Sequence, residues 1–130
     1  MGAQEDAALV RRGYEAFIAG DMDTVRGLFT EDSVWRVGGS GGLSGVKQGP
    51  DAIMAYFREL YSRSNGSLKV TLNDVTTGDR HTVGVHINHA ERDGKSLDQQ
   101  AAIVFTVSGG KVTEALELQE DTAELADFWS

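Results

Sequence analysis

TVGVHINHAERDGKSLDQQAAIVFTVSGGKVTEALELQ, residues 82–119, decides the fold. Apolar and polar residues alternate along three segments of it, which are separated by Asp93-Gly94 and by Ser108-Gly109-Gly110. A period of two is typical of β-strands, and Asp-Gly is a strong signal for a tight hairpin turn. We therefore predict three consecutive antiparallel strands, at 82–91, 96–107 and 111–119.

The residues before this meander follow mostly helical patterns. Apolar side chains recur at helical spacing, Gly20 is a plausible stop for the first helix, and Asp21 can cap the second. We predict helices at 5–19, 22–30, 50–60 and 122–129 and further strands at 34–37 and 68–73. Helices followed by an antiparallel meander indicate an α+β fold, with a curved sheet wrapped around an N-terminal helical layer.

Composition limits the function classes. The chain has 130 residues and a formal net charge of −8, with 40% hydrophobic and 25% charged residues, which is ordinary for one globular domain. The negative charge argues against a nucleic acid or an anionic membrane as partner, because phosphate binding needs clustered Lys and Arg. The chain contains no cysteine and begins without the basic and apolar regions of a signal peptide. We therefore expect a cytoplasmic protein.

All three histidines fall close together, at His81, His86 and His89. His86 is an odd number of residues from the other two, so on a regular strand it points to the opposite face. His81 and His89 share a face, but their separation along a strand would be about 26 Å. The spacing therefore argues against a metal site built from these histidines, and His86 has to be judged with the residues on its own face.

Strand parity leaves open which face of the sheet is buried. The default expectation is that the face with Val83, Val85 and Ile87 packs in the core while His86 meets solvent. The strand at 96–107 argues against this default, because both of its faces carry apolar residues. If both faces are covered, the polar groups on the His86 face lie in an apolar enclosure, which is how small-molecule pockets are built. These groups are His86, Asn88, Gln99, Glu117 and Gln119.

The glycine-rich segment 38–50, GGSGGLSGVKQGP, invites a phosphate-binding interpretation. It contains neither GxxxxGK[ST] nor GxGxxG, since Ser44 stands where the last glycine would be needed. We predict a flexible connection there.

Four stretches carry a resemblance to a known family. They are YEAFIAGDMDTVRGLFTEDSVW (14–35), GPDAIMAYF (49–57), DGKSLDQQAAIVFTVSGGKVTE (93–114) and EDTAELADFW (120–129). Together they resemble the SnoaL-like branch of the nuclear transport factor 2-like superfamily, which includes polyketide cyclases, ketosteroid isomerases and limonene epoxide hydrolases. The resemblance implies one cone-shaped domain over residues 1–130, a deep apolar cavity and a homodimer packed through the outer sheet face. It also favours the interpretation in which His86 and Glu117 point inward.

The catalytic residues of the better-known branches are mostly replaced. The tyrosine and two aspartates of ketosteroid isomerases fall at Gly13, Val37 and Ile103. The Asp-Arg-Asp set of limonene epoxide hydrolases falls at His86, Gly84 and Glu117, and Trp35 stands where those hydrolases position water with a tyrosine. Of these residues, only the second carboxylate of the hydrolase set is retained, as Glu117. Neither the isomerase mechanism nor the hydrolase mechanism therefore applies unchanged to this chain.

We accordingly expect a cofactor-independent enzyme that does acid/base chemistry on an apolar, polycyclic or terpenoid-like substrate, as a cyclase, isomerase or hydratase (lyase). His86 would be the general acid or base, because an unperturbed imidazole has a pKa near neutrality. Glu117 would orient His86 and raise its pKa. The expected substrate-binding residues are Tyr14, Phe17, Trp35, Val37, Phe57, Asn88, Gln99, Ala101, Ile103 and Gln119. We expect neither a metal nor an organic cofactor.

Two other functions remain open at this stage. One is a non-catalytic domain that binds a small ligand or assembles as a dimer, which fits the replaced catalytic positions. The other is an epoxide hydrolase with an altered proton relay, for which the retained acidic position Glu117 is the argument.

Overall fold

The computed structural model describes residues 2–130, which form four helices and six strands. The helices are α1 (Ala3–Ala19), α2 (Met22–Arg26), α3 (Pro50–Arg63) and α4 (Thr122–Trp129). The strands are β1 (Phe29–Val37), β2 (Gly45–Gln48), β3 (Lys69–Thr77), β4 (Thr82–Arg92), β5 (Lys95–Ser108) and β6 (Lys111–Gln119). The predicted α+β class and the predicted three-strand meander are confirmed.

The strands form one open, curved sheet in the order β2-β1-β6-β5-β4-β3. All neighbouring strands are antiparallel except β1 and β6, which run parallel. The register shifts between Leu72 and Asp74 on β3 and between Thr106 and Val107 on β5. Such irregularities bend a strand and increase its twist, which suits a sheet that wraps around the helices.

The core lies between α1, α3 and α4 and the face of the sheet that carries His86. On β4 the buried residues are those at even positions from Thr82 to Ala90, whereas Val83, Val85 and Ile87 are only half-buried. The default expectation from parity is therefore wrong, because the helices cover the face that is more polar in β4. The face of the sheet that carries His86 is the inner face, as the family resemblance implies.

Two predicted boundaries are wrong near the N-terminal layer. The helix α2 ends at Arg26, and Phe29 and Thr30 belong to β1, which begins at Phe29, rather than to that helix. The main chain here pairs with β6, since the Val112 amide donates to the Leu28 carbonyl at 2.7 Å and the Ser33 hydroxyl donates to the Val112 carbonyl at 2.7 Å. The local helical pattern of apolar residues gives way to these long-range hydrogen bonds.

The glycine-rich segment is not wholly an irregular connection. Residues Gly45–Gln48 form β2, which pairs with the end of β1. Gly45 and Gly49 at its two ends have φ angles of 109° and 86°, which glycine adopts far more readily than other residues. None of the helices within residues 2–130 has the length and apolar composition needed to cross a bilayer.

Candidate functional site

The inner face of the sheet brings the predicted polar residues into three neighbouring rows, and in the first of them Asn88 lies opposite Gln99. Across β4, β5 and β6, His86 lies opposite Ala101, and Ala101 lies opposite Gln119. In the next row, Gly84, Ile103 and Glu117 are aligned in the same way. Because adjacent strands are about 4.8 Å apart, the His86 and Gln119 backbones are separated by about 10 Å, with the small Ala101 side chain between them.

A pocket of about 100 Å³ lies between these rows and the helices. Its wall is mostly apolar and is formed by α1, α3, α4 and the inner face of the sheet. Ten of the predicted site residues line it: Tyr14, Phe17, Trp35, Val37, Phe57, His86, Asn88, Ile103, Glu117 and Gln119. Cavities of roughly 150 Å³ accommodate benzene, so this pocket as it stands is too small for the polycyclic substrate that we expected.

Two predicted site residues, Gln99 and Ala101, are buried but are not among the residues of 2–130 that line the pocket. The Gln99 amide donates to the Asp121 carbonyl at 2.9 Å and to the Glu124 carboxylate at 2.8 Å, and its oxygen accepts from the Asp121 amide at 3.2 Å. Gln99 thus holds the start of α4 against the sheet instead of facing a ligand.

The helix α4 and the loop at residues 38–44 close one side of the pocket together. Leu125, Ala126 and Trp129 of α4 line the pocket, as does Gly41 of the loop. The loop packs so closely that a Cβ on Gly41 would lie 2.9 Å from the Ala126 Cα. A ligand larger than the pocket requires this helix or this loop to move.

His86 forms a buried hydrogen bond with Tyr14, which reaches the sheet from α1. The Tyr14 hydroxyl and His86 Nδ1 are 2.8 Å apart. Burial raises the pKa of Tyr14 well above its ordinary value, so the hydroxyl stays protonated and can donate to Nδ1. The neutral imidazole then carries its own proton on Nε2 and remains a hydrogen-bond donor.

Glu117 is the second polar centre, and its carboxylate is fully enclosed. Oε1 accepts from the Trp35 indole at 3.0 Å and from the Tyr56 hydroxyl at 2.9 Å, while Oε2 accepts from the Gln119 amide at 2.7 Å. Burial raises the pKa of Glu117, and these three donors, together with the positive charge of Lys47, oppose that rise. Lys47 lies on β2 opposite Trp35, with its ammonium 5.4 Å from the centre of the Tyr56 ring.

The structure does not join His86 and Glu117 as a hydrogen-bonded pair. The donors to Glu117 are Trp35, Tyr56 and Gln119, and β5 lies between the strands that carry His86 and Glu117. Burial lowers the pKa of His86 to about 4, partly offset by a hydrogen bond with Asn88, which is opposite to the rise that we expected. His86 is therefore neutral at pH 7, and Glu117 is the stronger base of the two centres.

The sequence-based prediction missed Tyr56 as a site residue. Tyr56 shares one side of α3 with Ile53, Phe57 and Leu60, a pattern typical of core residues, but a buried tyrosine hydroxyl needs a polar partner. Glu117 is the acidic residue on the face of β6 that points inward. A buried tyrosine and a buried acid each need a polar partner, so the two residues together predict a hydrogen bond between them. The pairing of Tyr14 with His86, 72 positions apart, had no such local signal.

The site thus combines one buried base with a buried donor pair in an apolar enclosure. Within residues 2–130, no three potential metal ligands are grouped together. Groups that take up and donate protons in such an environment are suited to proton transfer, because the low polarity strengthens their interactions with developing charge.

Comparison with known proteins agrees with this architecture. Residues 10–115 match the family described as the SnoaL-like domain. The chain belongs to the SnoaL-like family. Over 131 aligned residues it is 36% identical to Rv0034 of Mycobacterium tuberculosis, an uncharacterized protein, with both chains fully covered.

Two solved structures that resemble this chain identify its fold. Bal32a, from a soil-derived mobile gene cassette, is 37% identical, and the alignment covers 98% of each chain with a TM-score of 0.94. An NTF2-like protein of Burkholderia xenovorans LB400 is 24% identical, with a TM-score of 0.78 and with 100% of this chain and 99% of that chain covered. The fold is therefore the NTF2-like fold.

Proposed function

We propose that this SnoaL-like protein is a cofactor-independent enzyme that transfers a proton on a small apolar molecule held in the pocket. The observation that supports this most strongly is the Glu117 carboxylate, which faces the pocket while one of its oxygens retains an unused acceptor position. A carboxylate whose pKa is raised by burial is a better base than one in water. Glu117 is thus the proposed general base.

The Tyr14–His86 pair supplies the complementary group. When Glu117 removes a proton from a carbon next to a carbonyl, the electron pair of the C–H bond moves toward the carbonyl oxygen. A donor fixed in advance beside that oxygen stabilises the developing charge. Tyr14 and His86 both line the pocket, and because the Tyr14 hydroxyl donates to Nδ1, the Nε2–H of the neutral imidazole is the donor that this pair offers.

The enolate formed in this way can lead to more than one product. Where a C=C double bond is conjugated with the enolate, return of the proton from Glu117 to the far carbon of that system gives an isomerised product. Attack of the enolate carbon on a second carbonyl of the same molecule, whose oxygen then takes the proton from Glu117, closes a ring. Both outcomes use the same base and donor. Exchange of substrate C–H protons with solvent deuterium detects their shared first step, and replacing Glu117 with glutamine should slow the exchange about 100-fold.

We also propose a homodimer formed through the outer face of the sheet. Val83, Val104 and Leu116 are aligned there in one row, and Val85, Ala102 and Leu118 in the next. Leu116 and Leu118 are 36% and 45% exposed in the single chain. A contiguous apolar patch of this kind is typical of a protein interface, and a second copy can cover it with the same residues.

A ligand-binding protein without catalysis is the second candidate function. It is favoured by the lowered pKa of His86, which leaves the imidazole a poor acid or base at neutral pH. The two functions differ in the exchange experiment: a binding protein holds the ligand without accelerating exchange of its protons.

A further inference from the structure

Two hydrogen-bond acceptors lie side by side in the pocket wall without a full set of donors. Gln119 Oε1 is buried and has no partner among residues 2–130. The adjacent Glu117 Oε2 accepts one hydrogen bond, from Gln119 Nε2, whereas Oε1 of the same carboxylate accepts two. A buried acceptor without a donor is costly, and native structures nearly always satisfy such groups.

The orientation of the Gln119 amide follows from its neighbour. Its nitrogen lies 2.7 Å from Glu117 Oε2, where it donates to the carboxylate. The opposite orientation would place two oxygens against each other whenever Glu117 is ionised. The amide oxygen is therefore left for another group, and both Gln119 and Glu117 line the pocket.

We propose that the ligand carries a neutral O–H or N–H group that donates to Gln119 Oε1, which makes Gln119 a specificity-determining residue. This proposal rests on the proposed function, because a neutral donor leaves Glu117 free to take a proton. The ligand class is a compact, neutral, apolar molecule with one hydrogen-bond donor near the proton that Glu117 removes.

Size and charge of the pocket support that class. Among residues 2–130, no Lys or Arg lines the pocket of about 100 Å³, and Glu117 is the only acidic residue in its wall. An anionic ligand would meet the Glu117 carboxylate, and Lys47, the cation that acts on this carboxylate, does not line the pocket. His86 and Gln119 both line the pocket, on strands that are separated by β5, so a small ring held between them can meet the Tyr14–His86 pair and Gln119.

The test compares two probe molecules of nearly the same shape. Pyrrole and furan are five-membered aromatic rings, and only pyrrole has an N–H. Furan leaves water more readily, so burial of apolar surface alone favours furan. We expect pyrrole to bind about tenfold more tightly, measured by NMR titration of the Trp35 indole resonance, since that factor lies within the range of costs of leaving a buried acceptor unsatisfied.

Variants assign the preference to Gln119. Gln119→Met keeps the length of the side chain but removes the acceptor, so pyrrole should lose its advantage while furan binding stays unchanged. Gln4→Met makes the same exchange on the exposed first turn of α1 and should behave as the unmodified protein. Retained furan binding also shows that the Gln119 variant is folded.

The proposal is overturned if the unmodified protein binds furan as tightly as pyrrole, or binds neither. It is equally overturned if the pyrrole preference survives in Gln119→Met. A wild-type protein that shows no pyrrole preference overturns the proposal even if that variant fails to fold. Failure of the proposed function is a separate outcome. If proton exchange persists in Glu117→Gln, Glu117 is not the general base, but a pyrrole preference that depends on Gln119 would still support Gln119 as a specificity-determining residue.

Discussion

The Tyr14 ring lies directly against the backbone of Gly84. A Cβ added at Gly84 would come within 2.5 Å of the ring and 2.7 Å of its hydroxyl oxygen. Gly84 is two positions from His86 on the same face of β4, so the missing side chain opens the path by which Tyr14 reaches Nδ1. Glycine is required here for close approach and not for its backbone angles.

Replacing Gly84 with alanine should therefore displace Tyr14 from His86. Overpacking of a buried site costs about 1–3 kcal/mol, and we expect a loss of stability in that range in urea unfolding. Gly78→Ala is the matched control, because the closest atom to a Cβ at Gly78 is 3.9 Å away. Equal effects of the two substitutions would contradict the close packing of Tyr14 on Gly84.

His86 should make the folded state less stable in mild acid. Its pKa is about 4 in the folded protein and 6.5 in the absence of burial, so the unfolded chain binds more protons between these values. The contribution of His86 to the free energy of unfolding is fully present above pH 6.5 and falls by about 3 kcal/mol as the pH drops to 4.

Urea unfolding from pH 7 to pH 4 measures this effect. The His86→Gln variant carries no titrating group at this position and should show a flatter dependence of stability on pH than the unmodified protein. The buried Glu117 acts in the opposite sense, because its raised pKa makes the folded state bind more protons. The comparison of the two proteins removes that common contribution. Identical slopes would mean that His86 titrates as it does in water.

The Tyr56 hydroxyl should lower the pKa of Glu117. It donates to Oε1 at 2.9 Å and thereby stabilises the ionised carboxylate. In Tyr56→Phe the pKa of Glu117 should rise further, as measured by the carbon-13 chemical shift of the side-chain carboxyl during a pH titration. Tyr61→Phe is the control, because that hydroxyl donates to the Phe17 carbonyl instead. A pKa that stays unchanged in Tyr56→Phe would rule out this contribution.

The outer sheet face should hold two copies of the chain together. Leu118→Glu places a charge within the apolar patch, where burial in an interface is unfavourable, and should convert a dimer into a monomer. Light scattering with size-exclusion chromatography measures the mass. Ile18→Glu, on a 50% exposed position of α1, should leave the mass unchanged. A monomeric unmodified protein would contradict the proposed interface.

Sequence patterns predicted the elements whose signals are local. Gly20 and Asp21 mark the end of α1 and the start of α2 as expected, and the turn at Asp93-Gly94 joins β4 to β5. The pairing of Phe29 with Val112 overrode a helical pattern, because long-range hydrogen bonds decided that segment.

The candidate site was predicted less completely than the fold. Parity placed His86 and Glu117 on a common face, and the resemblance selected that face as the inner one. Their expected contact failed because β5 lies between their strands, a spacing that the meander itself imposes. The contact between Tyr14 and His86 depends on how α1 packs against β4, which local patterns do not specify.

The central claim is that Glu117 removes a proton from a bound molecule. The most direct measurement follows exchange of the α-protons of cyclopentanone and hydroxyacetone in deuterated buffer by proton NMR. General bases contribute about 100-fold or more to such steps, so Glu117→Gln should reduce the protein-dependent rate by about that factor. Glu114→Gln, on the exposed face of the same strand, should retain it. Exchange no faster than in buffer, or exchange that survives in Glu117→Gln, would contradict the account.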